Sequence, residues 1–271
     1  MAEEYVETTY ESMTIDTLKK AGEKMIKIIY KDEDFYFKTF IKEDSNQLII
    51  HNNGAVDHTK RKPPVAQRSS WSEDIEVNCI FFDDKTIHFN DLNTGWGAGN
   101  IKRFYLEDYS AITKKVQELL SIKSKNVFYW GSSAGGYMSI ILSSMHHQTS
   151  AIVNNPQTLL LNHYKGKIDK LLNAAFNGMS KEDAFGKYPE RFSVVEAMKK
   201  YGYAPIIYYL QNYQFEFDMA NHFEPFRKSL KEAGISEKEN YYILYNDYER
   251  GHSPLSKEDT LQYIHKILDI K

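Results

Sequence analysis

An aromatic and aliphatic run, Val127-Phe128-Tyr129-Trp130, passes directly into Gly131-Ser132-Ser133-Ala134-Gly135, and an apolar stretch from Tyr137 to Met145 follows. This is a G-x-S-x-G pattern set between a strand and a helix, the context of a nucleophile elbow. A serine in that turn projects its hydroxyl above the end of the strand. The small residues two positions to either side let strand and helix pack closely around it. In this frame the nucleophile is Ser133, not Ser132. The plainer alternative is a Gly/Ser-rich strand-to-helix turn without chemistry.

The rest of the chain reads as alternating strands and helices. Met25 to Tyr30 and Phe35 to Ile41 flank Lys31-Asp32-Glu33-Asp34 and predict a β-hairpin. Leu48 to His51 and Val77 to Asp83 read as strands, with a polar, basic loop over residues 57–74 between them. Residues 1–22 read as a polar lead-in with a short helix. From Tyr105 to Ile122, Tyr109, Ile112, Val116, Leu119 and Leu120 recur at helical spacing. Further strands fall at Ser150 to Val153, Pro205 to Leu210 and Tyr241 to Tyr245, with helices at Met219 to Ala233 and Lys257 to Leu268. The alternation predicts an α/β fold: a mainly parallel central sheet with helices on both faces and an antiparallel hairpin at one edge. The whole chain, 1–271, is expected to form one domain. Residues 157–203 exceed the length of one crossover helix and are expected to form a helical cap insertion lining the mouth of the Ser133 pocket. Lys167, Lys170, Lys181, Lys187 and Arg191 would form its rim.

In such a sheet, chemistry collects at the carboxyl ends of the strands. His252 follows the last predicted strand and precedes the closing helix, where a general base for Ser133 is expected. A carboxylate between serine and histidine would fix the imidazole tautomer. Asp218 is favoured for its place after the penultimate strand, although it could serve as a helix N-cap, and Glu216 and Asp247 are rivals. Negative charge on an acyl oxygen needs backbone donors. The N–H of Ala134 is one, and the N–H of Gly54 or Ala55, in the loop after Leu48 to His51, is the second. A plain Asn-Gly turn would explain the same residues. Thr94-Gly95-Trp96-Gly97-Ala98-Gly99 lacks the Lys-Ser/Thr of a phosphate-binding loop and reads as a mobile loop carrying Trp96 over the substrate site. Lys60, Arg61, Lys62 and Arg68 are candidates for holding phosphates or an anionic glycan, with a solvated loop as the alternative.

Composition removes other classes. With 34 Lys and Arg against 37 Asp and Glu, the formal charge of −3 gives no reason to expect nucleic-acid binding. No apolar stretch is long enough to span a bilayer. The first twelve residues carry four glutamates and no signal-like apolar run, so a cytoplasmic location is expected. The single cysteine, Cys79, sits in a predicted buried strand and reads as an inert thiol. No spacing suggests a metal site.

The order Ser133, Asp218, His252 on this strand pattern resembles the α/β-hydrolase superfamily over roughly residues 45–271. Within it the chain is similar to bacterial sugar O-acetyltransferases, both the meningococcal-type capsule enzymes and accessory-secretion enzymes that acetylate glycans on exported adhesins. The similar features are Gly54-Ala55, the basic segment from Pro63-Pro64 to Trp71, Gly95-Trp96 before the elbow, and the separation of about 85 residues between Ser133 and Asp218. The resemblance implies an acetyl-serine intermediate. Acetyl-CoA would be the acyl donor, with no resident cofactor, and a polysaccharide or glycan the acceptor. A serine esterase or polysaccharide deacetylase would carry the same three residues. A non-catalytic binding protein of this fold would leave them apart.

Overall fold

The computed structural model describes residues 5–22, 24–88 and 92–269. It is built on a nine-stranded sheet in the order β1-β2-β3-β5-β4-β6-β7-β8-β9. β4 (Leu48–His51), β5 (Asn78–Phe82), β6 (Val127–Ser132), β7 (Ser150–Asn154), β8 (Ile206–Asn212) and β9 (Tyr241–Tyr245) are mutually parallel. The hairpin of β2 (Ile26–Tyr30) and β3 (Glu33–Phe40) joins them antiparallel at β5. Its turn is tighter than the sequence suggested. Lys31 and Asp32 both take positive φ, 48° and 63°, which makes a two-residue turn whose twist matches the strands. The polar lead-in is also more ordered than predicted. β1 (Val6–Thr9) pairs parallel to β2 as the sheet's edge, and α1 (Ile15–Ala21) starts at a Thr14–Thr17 capping box.

Side chains alternate along the parallel strands and so build two cores. Leu48, Ile50, Ile80, Phe82, Val127, Tyr129, Ala151, Val153, Ile207 and Tyr209 face one way. They meet α1, α2 (Tyr105–Leu119), α3 (Ala134–Met145), α4 (Lys165–Ala175), α6 (Val194–Tyr201) and α8 (Glu224–Glu232). Ile49, Cys79, Phe81, Phe128, Trp130, Ile152, Tyr208 and Leu210 face the other way, where α9 (Lys257–Asp269) and residues 66–77 cover them. Cys79 is fully buried there, and burial pushes its thiol up to about 12.

Most of the 157–203 segment belongs to the first helical layer. Leu171, Leu172, Phe176, Phe192, Val194 and Val195 join the core of α2 and α3, so the stretch includes the crossover helix that a parallel β7–β8 connection requires. α5 (Lys181–Lys187) lies within it. Between β8 and α8 the chain runs through α7 (Glu216–Asp218) and a π-helical turn, Met219–Phe223. No helix among the described residues is long and apolar enough to cross a membrane.

Candidate active site

Ser133 sits between the end of β6 and the first residue of α3 with φ 55° and ψ −122°, a conformation that L-residues rarely adopt. The glycines explain how the turn holds. A Cβ added to Gly131 would stand 2.2 Å from the carbonyl carbon of Gly135, and one on Gly135 would stand 2.3 Å from the backbone oxygen of Asn52. The Ser133 N–H donates to the Asn154 carbonyl of β7 at 3.0 Å and anchors the elbow to the neighbouring strand.

The Ser133 hydroxyl lies 2.9 Å from His252 Nε2, and His252 Nδ1 lies 2.6 Å from Asp218 Oδ2. With Nδ1–H donating to the carboxylate, Nε2 is left to accept the serine proton. Asp218 is buried, and burial pushes its carboxyl above the ordinary value against the opposing pull of His252. The two rival acids point elsewhere. Glu216 is exposed, and Asp247 pairs with Arg250 at 2.9 Å.

Residues without a recognisable motif complete the site. Gln157, fully buried just beyond β7, donates from Nε2 to Ser133 Oγ at 3.0 Å. Its Oε1 accepts from Trp96 Nε1 at 3.1 Å, which orients the amide with its NH2 toward the serine. Trp96 therefore does not hang over the substrate. It is fully buried beneath the site, because its indole N–H has an internal acceptor and its loop is tied down by Gly97 N–H to Asp84 Oδ2 at 3.1 Å. Asn155 and Asn212 fix the histidine loop. Asn155 Nδ2 reaches the carbonyls of His252 and Ser253 at 3.2 and 3.3 Å, and Asn212 Nδ2 reaches that of Gly251 at 2.9 Å. The only sequence sign of these roles is position, since each stands at or just past the carboxyl end of a parallel strand. Behind the triad, His163 Nδ1 and His222 Nε2 lie 3.4 Å apart. Burial lowers them to about 4 and about 3, so both are neutral at physiological pH.

Of the candidate oxyanion donors, Ala134 is the first residue of α3, where a backbone N–H has no intrahelical acceptor. Gly54 is already engaged, donating its N–H to Gln67 Oε1 at 2.9 Å. Ala55 is exposed beside it, and neither its N–H nor that of Ala134 has an acceptor among the described residues. A cavity of about 560 Å³ opens over Ser133 and His252. Residues 54–57, 60, 61, 65, 67 and 68 line it together with Ser132, Ser253 and Pro254. Arg61 and Arg68 thus stand on its wall. The expected cap does not: Gln157, at its start, reaches Ser133 from below, but residues 158–203 are absent from the lining, because their apolar side chains pack sideways onto α2 and α3, and Lys167 is held by Asn93 at 2.8 Å.

Comparison with known proteins agrees at the level of the fold. A family model described as an uncharacterised protein family, UPF0227, matches residues 101–187. No curated protein matches the sequence. Among solved structures, the capsule O-acetyltransferase of Neisseria meningitidis serogroup A superposes with a TM-score of 0.65 at 14% identity, covering 89% of this chain and 96% of that one. A mutant of that enzyme in complex with CoA gives 0.65 at 13%, over 90% and 94%. The fluorophosphonate-binding serine hydrolase F of Staphylococcus aureus gives 0.57 at 11%, over 90% and 97%. The parallel sheet with its antiparallel edge, the elbow at the end of β6 and these likenesses agree, and the chain has the α/β-hydrolase fold.

Proposed function

We propose that this protein is a serine O-acyltransferase that moves an acetyl group from acetyl-CoA to a hydroxyl of a bacterial surface or capsular polysaccharide. The observation that carries the reading is the Ser133–His252–Asp218 relay, with contacts of 2.9 and 2.6 Å, at the floor of a cavity whose wall bears Arg61 and Arg68. Likeness in fold to a capsule O-acetyltransferase, one of whose mutants was solved with CoA, supports the choice of donor and acceptor.

In this mechanism His252 Nε2 takes the Ser133 proton as Oγ attacks the thioester carbonyl. The Ala134 and Ala55 N–H groups meet the oxyanion. Collapse expels the CoA sulfur with the proton from His252 and leaves acetyl-Ser133. A sugar hydroxyl then attacks the ester carbonyl while His252 takes its proton, and Ser133 leaves with that proton. Asp218 stabilises the imidazolium in both halves, and Gln157 Nε2 steadies Oγ.

A serine esterase or polysaccharide deacetylase is the second reading. It is favoured by the likeness to serine hydrolase F and by a cavity whose lining includes none of residues 158–203. The test is mass spectrometry of the protein and of a capsular polysaccharide after incubation with acetyl-CoA. Acetyl mass on Ser133 and then on the glycan is expected. Consumption of acetyl-CoA at one rate with and without glycan, with no acetylated glycan, would replace the transferase by the esterase.

A further inference from the structure

Arg68 is a cation in an unusual setting. Its guanidinium carbon lies 5.0 Å from the ring centre of Trp130 and 5.4 Å from that of Trp71. Of its five N–H groups, one donates to a protein acceptor among the described residues, Nη2 to Ser132 Oγ at 3.1 Å. No carboxylate of the described residues pairs with it. Enclosure lowers its affinity for the proton to about 10, yet it stays charged at neutral pH. The backbone of Arg68 is also left-handed, at φ 62°, where the chain turns into the short 3₁₀ helix Ser69–Asp74. A half-buried guanidinium without a counter-ion has given up part of its hydration, and the two indoles offset only part of that loss. The remaining N–H groups belong to a residue that lines the same cavity as Ser133.

We propose that Arg68 is a specificity-determining residue that binds an oxyanion, phosphate or carboxylate, carried by the acyl acceptor close to the hydroxyl that receives the acyl group. This rests on the transferase reading above. The acceptor is chosen over the donor by position. Arg68 touches Ser132, the residue before the nucleophile, so its ligand sits beside the reacting carbon. In acetyl-CoA the long pantetheine arm separates the thioester from every phosphate, which places those phosphates outward, toward exposed Lys60 and Arg61. The substrate class that follows is a sugar phosphate or an acidic sugar, on its own or as a unit of a polyanionic glycan.

The test uses the intact protein. Trp71 and Trp130 flank Arg68, so tryptophan fluorescence reports ligand binding there whether or not acyl transfer occurs. Glucose 6-phosphate, glucuronate and glucose are titrated into wild type, Arg68→Gln and Arg68→Lys. One or both acidic sugars should bind wild type at least about tenfold tighter than glucose. That preference should vanish in Arg68→Gln and partly survive in Arg68→Lys, the loss lying at about 10- to 100-fold as for hydrogen bonds to charged groups. Equal binding of acidic and neutral sugars by wild type would overturn the proposal, as would an unchanged preference in Arg68→Gln. So would a titration with coenzyme A in which Arg68→Gln weakens coenzyme A as much as the acidic sugars, because the anion would then be the donor's. If Arg68→Gln does not fold, the comparison of wild type with Arg68→Lys decides. Failure of the transferase reading shows separately, as absence of acetyl mass on the glycan.

Discussion

At the scale of single residues, the site divides into groups that a motif announces and groups that only packing brings in. That Ser133, His252 and Asp218 meet was legible because the elbow pattern and the order of residues at strand ends are local in sequence. Gln157 was not, because an amide after a strand carries no pattern. Its role depends on Trp96, 61 residues earlier, donating to its oxygen. The same hydrogen bond explains why Trp96 lies beneath the site and not over it on a mobile loop: a large aromatic in a glycine-rich loop reads as exposed until its buried acceptor is known. Ser133→Ala should lower kcat for acyl transfer and ester hydrolysis by on the order of 10⁴ to 10⁶. His252→Ala should do about the same, and the double variant should add little, since the two act as one unit. Steady-state assays on an activated acetyl ester check this, and multiplicative losses would break the assignment. Trp96→Phe tests the outer link. It keeps most of the buried ring but frees the Gln157 amide, and a net hydrogen bond of about 1 kcal/mol corresponds to roughly a fivefold fall in kcat. A variant with unchanged kcat would detach Gln157 from the chemistry.

At the scale of elements, strand positions were readable from apolar runs, and three readings of the segments between them were not. The lead-in hid β1 because four residues, Val6–Thr9, with two threonines give little apolar signal at a sheet edge. The hairpin turn shortened because Lys31 and Asp32 take left-handed backbone, which their side chains do not advertise. The 157–203 segment was placed over the site on its excess length, whereas its apolar residues had a nearer surface to cover on α2 and α3. The elbow is where element packing is most exacting, and two glycines separate the cases. In Gly135→Ala the new Cβ would lie 2.3 Å from the Asn52 oxygen and 3.0 Å from the Asn53 oxygen, both backbone and unable to give way cheaply. A loss above about 3 kcal/mol is expected, by urea unfolding or as failure to accumulate folded protein. Gly186→Ala, inside α5 with nothing within 4 Å of the new Cβ, should instead stabilise by about 0.5–1 kcal/mol. Similar stabilities for the two variants would contradict the packing described at the elbow.

At the scale of the whole molecule, the sheet is dressed unequally. Many helices cover one face, while α9 and the 66–77 segment cover the other, and the cavity with its cations opens beside that second cover. The alternation of apolar residues along the strands made the two-faced sheet legible. The distribution of helices between the faces was not, because that depends on connection geometry rather than periodicity. One buried group ties the global stability to pH. Asp84, just past β5, accepts from Gly97 N–H at 3.1 Å and Thr86 N–H at 3.0 Å and so pins the Trp96 loop beneath the site. Burial, reinforced by Asp83 and opposed by those hydrogen bonds, raises its carboxyl to about 6. With the folded value above the unfolded value of about 3.9, the native state keeps this proton longer than the unfolded chain. Its stabilisation is therefore complete below about pH 4 and is lost as pH rises through about 6, an effect of about 3 kcal/mol. Asp84→Asn gives up one acceptor oxygen but cannot ionise. Relative to wild type it should gain about that much between pH 4 and pH 7, whichever protein is the more stable at pH 4. Urea unfolding of both proteins at pH 4, 5, 6 and 7 measures the difference. A gap that stays flat across those values would mean that Asp84 carries its charge in the folded protein at no cost, with its hydrogen bonds fully offsetting its burial.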